Sequence, residues 1–273
     1  MIESARNRAP IGVFDSGIGG LTVVRAIYEH LPSESTIYFG DTARVPYGPK
    51  SPDTVRRYSL EILRWLLSQG VKAVVIACNT STAHALEALR AVSSVPVVGV
   101  IQPGAVAAVK ATRGGSIGVI GTAGTIASNA YARAIHGLVP GATVVQQPCP
   151  LFVPLVEEGW FEHPATRLAA EEYLAPLRAR GVGTLVLGCT HYPLLKGLLA
   201  DVMGPDVALI DSAEETASAV ARALREQGLE AAAGLAPEHR FAVSDDPERF
   251  LAVGARFLGG RLETAEVVTL GTA

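Results

Sequence analysis

The segment VVIACNTST at residues 74–82 decides the fold class, because a segment of the same kind, LVLGCTHYP, occupies residues 185–193. Each has three aliphatic residues, then a small residue, a cysteine and a polar pair that opens a helix. A continuous apolar run of this length is typical of a strand buried on both faces of a parallel sheet. The matched segments predict two similar α/β halves, each with a cysteine at the carboxyl end of a strand.

Short β-branched runs alternate with longer helical patterns along most of the chain. The predicted strands cover residues 11–14, 36–39, 73–77, 97–100, 117–120, 143–146, 184–187 and 208–210. The predicted helices cover residues 21–30, 54–68, 82–91, 126–136, 166–179 and 213–227. Near the C-terminus, edge strands at 239–243 and 266–268 flank a helix at 247–257. This order predicts an α/β fold with mostly parallel sheets, in which ligands bind beyond the carboxyl ends of the strands.

Composition narrows the class of protein. The 273 residues are 49% apolar and 18% charged, which predicts a compact globular chain. A net charge of −3 argues against a nucleic-acid surface, which usually shows a basic excess. No run approaches the ~18 apolar residues that cross a bilayer, and residues 1–8 lack the apolar core of a signal peptide. We therefore expect a cytoplasmic protein with no membrane partner, in which the three cysteines are free thiols.

Cys78 and Cys189 are each predicted at or near a helix N-terminus, where the dipole and free N–H groups lower the pKa of a thiol. A zinc site would need more ligands at closer spacing, and a redox pair usually has the pattern C-x-x-C. A cysteine phosphatase would need a nearby arginine, and a hydrolase would leave the second cysteine unexplained. Two matched weak acids facing one cleft instead suit racemisation or epimerisation. Cys149 has no such context and is expected to be structural.

The segment IGVFDSGIGGLT at residues 11–22 places Asp15 between a strand and a glycine-rich turn. A dinucleotide site is disfavoured, because Thr22 occupies the third glycine position and the Asp15 carboxylate would face the phosphates. Asp15 better suits a cation such as an α-ammonium group, or the orientation of a nearby acid–base residue. A helix-capping role is the alternative.

The segment DTARVPYGPK at residues 41–50 follows another predicted strand. Its prolines and glycine predict a rigid turn, for which a structural role is the default. Its place at a strand end, with the hydroxyl of Tyr47 and free backbone amides, also makes it a candidate for contact with a ligand.

Four segments together resemble the glutamate racemase family of the aspartate/glutamate racemase superfamily. They are FDSGIGG at 14–20, VPYG at 45–48, ACNT at 77–80 and GCTHYP at 188–193. The histidine after the second Cys-Thr favours the glutamate branch, since aspartate racemases tend to carry glutamate there. The resemblance implies two α/β domains related by a pseudo-twofold axis, with the active site in the cleft between them. The first domain would comprise residues 1–101 and 212–273, and the second residues 102–211.

The resemblance also implies two-base racemisation of glutamate without a cofactor. Cys78 would remove the α-proton of D-glutamate and Cys189 that of L-glutamate, with the other thiol reprotonating the carbanion. Asp15 matches the family residue that assists Cys78 in proton transfer, and His191 matches the residue that assists Cys189. No pyridoxal-phosphate signature is evident, and no metal site is expected. The same resemblance implies that the protein would be a cytoplasmic homodimer that supplies D-glutamate for peptidoglycan synthesis.

The remaining site predictions concern Glu157 and the substrate carboxylates. Glu157 matches a family glutamate near the second cysteine, although the short match leaves Glu158 as an alternative. No arginine lies within the four segments, so helix-start amides and hydroxyls are expected to hold the carboxylates. The predicted substrate-binding residues are Asp15, Ser16, Tyr47, Gly48, Asn79, Thr80, Thr190 and His191.

Two other functions stay open from the sequence. One is a racemase of the same superfamily that acts on aspartate or a hydantoin. The other is a catalytically silent regulatory protein on this fold, against which the intact Cys78 and Cys189 argue.

Overall fold

The computed structural model describes residues 6–112, 114–260 and 262–271. Its strands are β1 (Ile11–Asp15), β2 (Thr36–Gly40), β3 (Ala73–Ile76), β4 (Val97–Gly99), β5 (Ser116–Gly121), β6 (Val144–Pro148), β7 (Val182–Gly188), β8 (Ala208–Ile210), β9 (His239–Val243) and β10 (Glu266–Val267). Its helices are α1 (Leu21–His30), α2 (Pro52–Ser68), α3 (Asn79–Val92), α4 (Ile101–Ala111), α5 (Ala123–Ala127), α6 (Ala130–Leu138), α7 (Phe152–Glu157), α8 (Pro164–Ala179), α9 (Lys196–Met203), α10 (Ala213–Glu226) and α11 (Pro247–Leu258). Strands and helices alternate as the sequence predicts.

The first sheet has the strand order β10-β9-β2-β1-β3-β4, and its paired strands are parallel. Every residue of β1 and β2 is buried, as expected for central strands covered by helices on both faces. The prediction that residues 239–243 form an edge strand is wrong, because β9 lies between β10 and β2. The first two residues of β9, His239 and Arg240, are polar and exposed, as is typical of an edge strand.

The second sheet has the order β6-β5-β7-β8 and is also parallel, so the predicted fold class is confirmed. The chain leaves the first sheet after β4, crosses through α4 and completes the second sheet at β8. It then returns through α10 to β9 in the first sheet. We propose domains of residues 1–101 with 212–273 and of residues 102–211, which fit this path.

The predicted helix at 126–136 is wrong as a single element, because α5 and α6 are separated there. Asn129 between them has φ 55°, a left-handed conformation that Asn tolerates better than most residues. The helix predicted at 82–91 begins earlier, at Asn79, because Cys78 caps it. In these two regions the sequence therefore predicted helix correctly but missed a local break and a cap.

Three helices differ from the sequence prediction: α4 and α7 were not predicted, and α9 begins later than the helix expected directly after Cys189. Two of them carry a proline at the third helical position, Pro103 in α4 and Pro154 in α7. Proline is accepted in the first turn, where backbone N–H groups have no partner within the helix. The third, α9, follows a short 3-10 helix, Tyr192–Leu195, that also contains a proline.

The carboxyl ends of strands from both sheets point towards one cleft. Asp15 ends β1, whereas Cys78 and Cys189 lie just beyond β3 and β7. This is the edge at which ligands bind in open parallel sheets. Within the described ranges, no helix is long and apolar enough to cross a membrane.

Candidate active site

The two matched cysteines line a single small cavity between the two sheets. It is lined by Ser16, Val45, Pro46, Tyr47, Gly48, Cys78, Asn79, Thr80, Thr122, Val153, Cys189, Thr190 and His191. Its volume of about 20 Å³ is enough for roughly one water molecule. A second pocket of about 310 Å³ shares Val45, Pro46, Gly48, Thr122 and Val153 with it and is lined mainly by apolar residues. The structure therefore represents a closed cleft, which must widen to admit an amino acid.

Cys78 is the N-cap residue of α3, and its Sγ accepts a hydrogen bond from the backbone N–H of Ser81 at 3.4 Å. The helix start was expected to lower the pKa of this thiol. Instead, burial and then the charge of Asp15 raise the pKa of Cys78 to about 11, despite hydrogen bonds from Ser81 and Ser16. That expectation was wrong for Cys78, because removal from water outweighs the helix amides. At neutral pH Cys78 is consequently a neutral thiol, ready to donate a proton.

Asp15 is completely buried behind the cavity and is not one of its lining residues. Its Oδ2 accepts a hydrogen bond from the N–H of Gly17 at 3.1 Å, whereas its Oδ1 has no hydrogen-bond partner. Burial raises the pKa of Asp15, and the charge of His191 and nearby backbone N–H groups oppose that shift. Its position beside Cys78 favours the orienting role over direct contact with a substrate ammonium group.

Cys189 belongs to a chain of polar contacts in the second half. Its Sγ lies 3.9 Å from Nδ1 of His191, and Nε2 of His191 lies 3.1 Å from Oε1 of Glu157. Burial lowers the pKa of His191, but hydrogen bonds and charges from Cys189 and Glu157 outweigh it and raise the pKa to about 10. His191 is therefore an imidazolium at neutral pH, and its positively charged ring lies beside the sulfur of Cys189.

The structure distinguishes the two candidate glutamates. Glu157 contacts His191, whereas the side chain of Glu158 is 64% exposed and contacts only Arg249 among its ion pairs in the described chain. Burial raises the pKa of Glu157, yet His191 and Arg249 together outweigh this and lower it. Glu157 is thus an ionised carboxylate that faces the imidazolium.

Tyr47 lines the cavity, but its hydroxyl donates a hydrogen bond to Oδ2 of Asp41. Asp41 is fully buried and also accepts hydrogen bonds from Nε of Arg44 at 2.7 Å and from Oγ of Ser244 at 2.8 Å. The predicted ligand contact through this hydroxyl is therefore unavailable while the bond to Asp41 persists. Tyr47 instead fixes the loop that brings Gly48 to the cavity.

The other predicted binding residues surround the cavity with polar groups. Thr80 Oγ1 lies 2.9 Å from Oγ1 of Thr122, and Oδ1 of Asn79 accepts a hydrogen bond from the hydroxyl of Tyr131 at 2.7 Å. Thr190 Oγ1 lies 3.4 Å from Nδ1 of His191. No arginine lines the cavity among the described residues.

Sequence reasoning missed Thr122 and Val153, which also line the cavity. Thr122 follows β5 directly, so the rule that singled out the strand-end cysteines could have found it. Val153 lies in α7, a helix that the sequence analysis did not predict. No comparable signal pointed to it.

The sequence profile of the Asp/Glu/Hydantoin racemase family matches residues 11–232. This chain belongs to that family. A glutamate racemase of Syntrophus aciditrophicus is 57% identical over 261 residues, covering 96% of this chain and 97% of the relative. The predicted family and the prediction of an amino-acid racemase, an isomerase, are confirmed.

Solved structures of family members agree over nearly the whole chain. A glutamate racemase isoform of Bacillus anthracis has a TM-score of 0.93 at 42% identity, covering 97% of this chain and 98% of that one. The glutamate racemase of Francisella tularensis, solved in complex with D-glutamate, has a TM-score of 0.91 at 41% identity, with the same coverage of both chains. Both belong to the glutamate branch of the family, which the sequence predicted.

Proposed function

We propose that this chain interconverts L- and D-glutamate by a two-base mechanism that needs no cofactor. The observation that carries the proposal is that Cys78 and Cys189, one from each half, line the same cavity in a chain whose full-length relatives are glutamate racemases. Two thiols can work on opposite faces of one carbon only if both reach it, and a shared cavity meets that requirement. Each thiol also lies beside an ionisable side chain, which is Asp15 for Cys78 and His191 for Cys189.

In the L-to-D direction, Cys189 acts as the base. Its thiolate takes the α-proton, so that the C–H bond breaks and an S–H bond forms, while the electron pair stays on the substrate. Cys78, a thiol because its pKa is about 11, then donates its proton to the opposite face of that carbon. The imidazolium of His191 stabilises the thiolate of Cys189 before the transfer. The product step leaves Cys78 as a thiolate and Cys189 as a thiol.

The D-to-L direction uses the same groups in reverse, with Cys78 as the base. Burial and the charge of Asp15 oppose a thiolate at Cys78 in the free enzyme, so substrate binding must shift that balance. The α-ammonium group of the substrate supplies a positive charge close to this sulfur and acts in the required direction. Asp15 lies close enough for its charge to act on Cys78, and it accepts hydrogen bonds from the backbone of the glycine-rich turn.

Hydrogen-bond donors that are already in position must bind the substrate carboxylates and stabilise the carbanion. The N-terminal turn of α3 provides backbone N–H groups near Asn79 and Thr80, and Ser16 and Thr190 add hydroxyls at the cavity wall. A helix N-terminus favours negative charge, so these donors support both the bound carboxylate and the developing enolate. Thr122 joins them from the second half.

The cellular setting is part of the same proposal. Thiols that must stay reduced for turnover fit the reducing cytoplasm. The family resemblance supports a homodimer and a role in supplying D-glutamate for peptidoglycan. Aspartate and hydantoins are the competing substrates within the family.

A direct assay tests the substrate. Purified enzyme incubated separately with L-glutamate, D-glutamate and both aspartate enantiomers is followed by polarimetry. We expect the optical rotation of both glutamate enantiomers to decay to zero, while the optical rotation of both aspartate enantiomers stays unchanged. Faster loss of rotation with aspartate, or no loss with any amino acid, would refute the proposed function.

A further inference from the structure

The C-terminal helix α11 contacts the group of side chains that serves Cys189. The ring of Phe257 meets the ring of His191 edge-on, with centroids 5.3 Å apart. Arg249 Nη2 lies 3.6 Å from Oε2 of Glu157. These two residues of α11 are eight positions apart, so they point roughly 80° apart around the helix axis, and each contacts one member of the same pair of side chains. One helix that packs against the first half therefore touches both helpers of a base in the second half.

Arg249 occupies an electrostatically unfavourable place within its own helix. It is the third residue of α11, whose first turn disfavours positive charge because of the helix dipole. Its backbone N–H is capped by Oδ1 of Asp246 at 3.0 Å, while its side chain reaches Glu157 and, at 3.7 Å, Oε1 of Glu158. A cation placed against its own dipole is compensated by the carboxylates of another helix.

We propose that Arg249 is a positioning residue that holds Glu157 against His191 and thereby keeps an imidazolium beside Cys189. This inference rests on the proposed racemase function. The two oxygens of Glu157 have different partners: Oε1 meets His191 at 3.1 Å and Oε2 meets Arg249 at 3.6 Å. The second distance is that of an ion pair rather than a hydrogen bond. Among the described residues, Arg249 provides the ion pair to the second oxygen, Oε2, of Glu157.

The charged groups that face Glu157 come from three elements. His191 approaches from the segment after β7 and Arg249 from α11, while Glu158 follows Glu157 directly after the end of α7. Both cations stabilise the ionised form of Glu157. Arg249 therefore contacts, through Glu157, the side chains grouped around Cys189.

A double-mutant cycle tests whether Arg249 acts through Glu157. In the wild-type background, Arg249→Ala should lower kcat roughly three- to fivefold, the range of a half-exposed ion pair, and leave KM within about twofold. Arg249→Lys should restore most of the loss. In the Glu157→Gln background, Arg249→Ala should change kcat by less than about 1.5-fold. An equal loss in both backgrounds, or no loss in the wild type, would overturn the inference.

Arg240→Ala is the matched control. The side chain of Arg240 is 49% exposed, close to the 48% of Arg249, and it pairs with Glu266 at 2.9 Å in the same C-terminal segment. It should leave kcat unchanged in both backgrounds. A loss in this variant as large as that of Arg249→Ala would show a general effect of surface charge and overturn the inference.

A second readout does not require turnover. Carboxyl ¹³C NMR follows the titration of Glu157, assigned by loss of its signal in Glu157→Gln. The charge of Arg249 lowers the pKa of Glu157. Arg249→Ala should therefore raise the titration midpoint of Glu157, whereas Arg240→Ala should leave it unchanged. An unmoved midpoint would overturn the inference. If the wild type failed to racemise glutamate while the midpoint moved, the proposed function would fail and the contact between Arg249 and Glu157 would stand.

Discussion

The imidazole Nε2 of His191 lies 3.1 Å from Oε1 of Glu157, and both side chains are largely buried. This contact makes the surroundings of the two thiols that line the cavity, Cys78 and Cys189, unequal. Cys189 faces a cation that Glu157 holds in its protonated form, whereas Cys78 faces the carboxyl group of Asp15. Cys78 is therefore prepared to donate a proton, whereas the sulfur of Cys189 lies beside a positively charged ring.

Replacing Glu157 with Gln should shift the pH dependence of the reaction. Glu157 raises the pKa of His191, so its loss should lower that pKa from about 10 and move the basic limb of the kcat/KM profile to lower pH. At neutral pH, kcat should fall roughly 10- to 100-fold. This factor corresponds to the free energy of a hydrogen bond to a charged group. Initial rates between pH 6 and 10.5 measure both effects. Glu158→Gln is the control and should leave the basic limb in place.

The same contact predicts how stability depends on pH. His191 has a pKa raised to about 10 in the folded state, above the ordinary value of about 6.5. Its contribution to the free energy of unfolding is therefore fully present below about pH 6.5 and is lost as the pH rises towards 10. The pKa of Glu157 is lowered, so its contribution is lost only in acid.

Thermal denaturation at pH 6, 8 and 10 checks this window. The difference in Tm between the wild type and Glu157→Gln should be largest at pH 6 and should shrink as the pH approaches 10. A difference that stays constant, or grows with pH, would show that the pair does not titrate as described.

Gly19→Ala should lower activity strongly, because the added Cβ would clash with residues from the other half of the protein. A Cβ at Gly19 would lie only 2.7 Å from Cε1 of His191 and would collide with Oγ1 of Thr190. We expect kcat to fall at least about tenfold, because close approach at this point positions the imidazole beside Cys189. Gly197→Ala on α9, where a Cβ would meet nothing within 4 Å, should keep full activity. Equal activity of the two variants would contradict this assignment.

The cysteines should differ sharply in their tolerance of substitution. Cys78→Ser and Cys189→Ser should each reduce racemisation at least about a thousandfold, because a hydroxyl is a far weaker acid than a thiol. Cys149 is fully buried in the core, so Cys149→Ala should lower stability by roughly 1 kcal/mol and retain turnover. Near-normal turnover in either serine variant would remove that thiol from the mechanism.

Local sequence patterns predicted the strands and the position of both cysteines, because apolar runs and strand-end polar residues are local signals. The pKa of Cys78 could not be predicted, because it depends on burial and on Asp15, which is brought to it by tertiary folding. Similarly, the short match around Glu157 could not exclude Glu158, whereas the contact with His191 distinguishes them. Arg249 had no local signal, because it lies far from Glu157 in the sequence.

Racemisation of L-glutamate in D₂O tests the two-base mechanism most directly. The donor thiol exchanges with solvent, so D-glutamate should form with deuterium at the α-carbon. Recovered L-glutamate should keep its original α-proton during early turnover, as measured by ¹H NMR and mass spectrometry of the separated enantiomers. Deuterium entering recovered L-glutamate as fast as D-glutamate forms would contradict the assignment of Cys78 and Cys189 to opposite faces of the substrate.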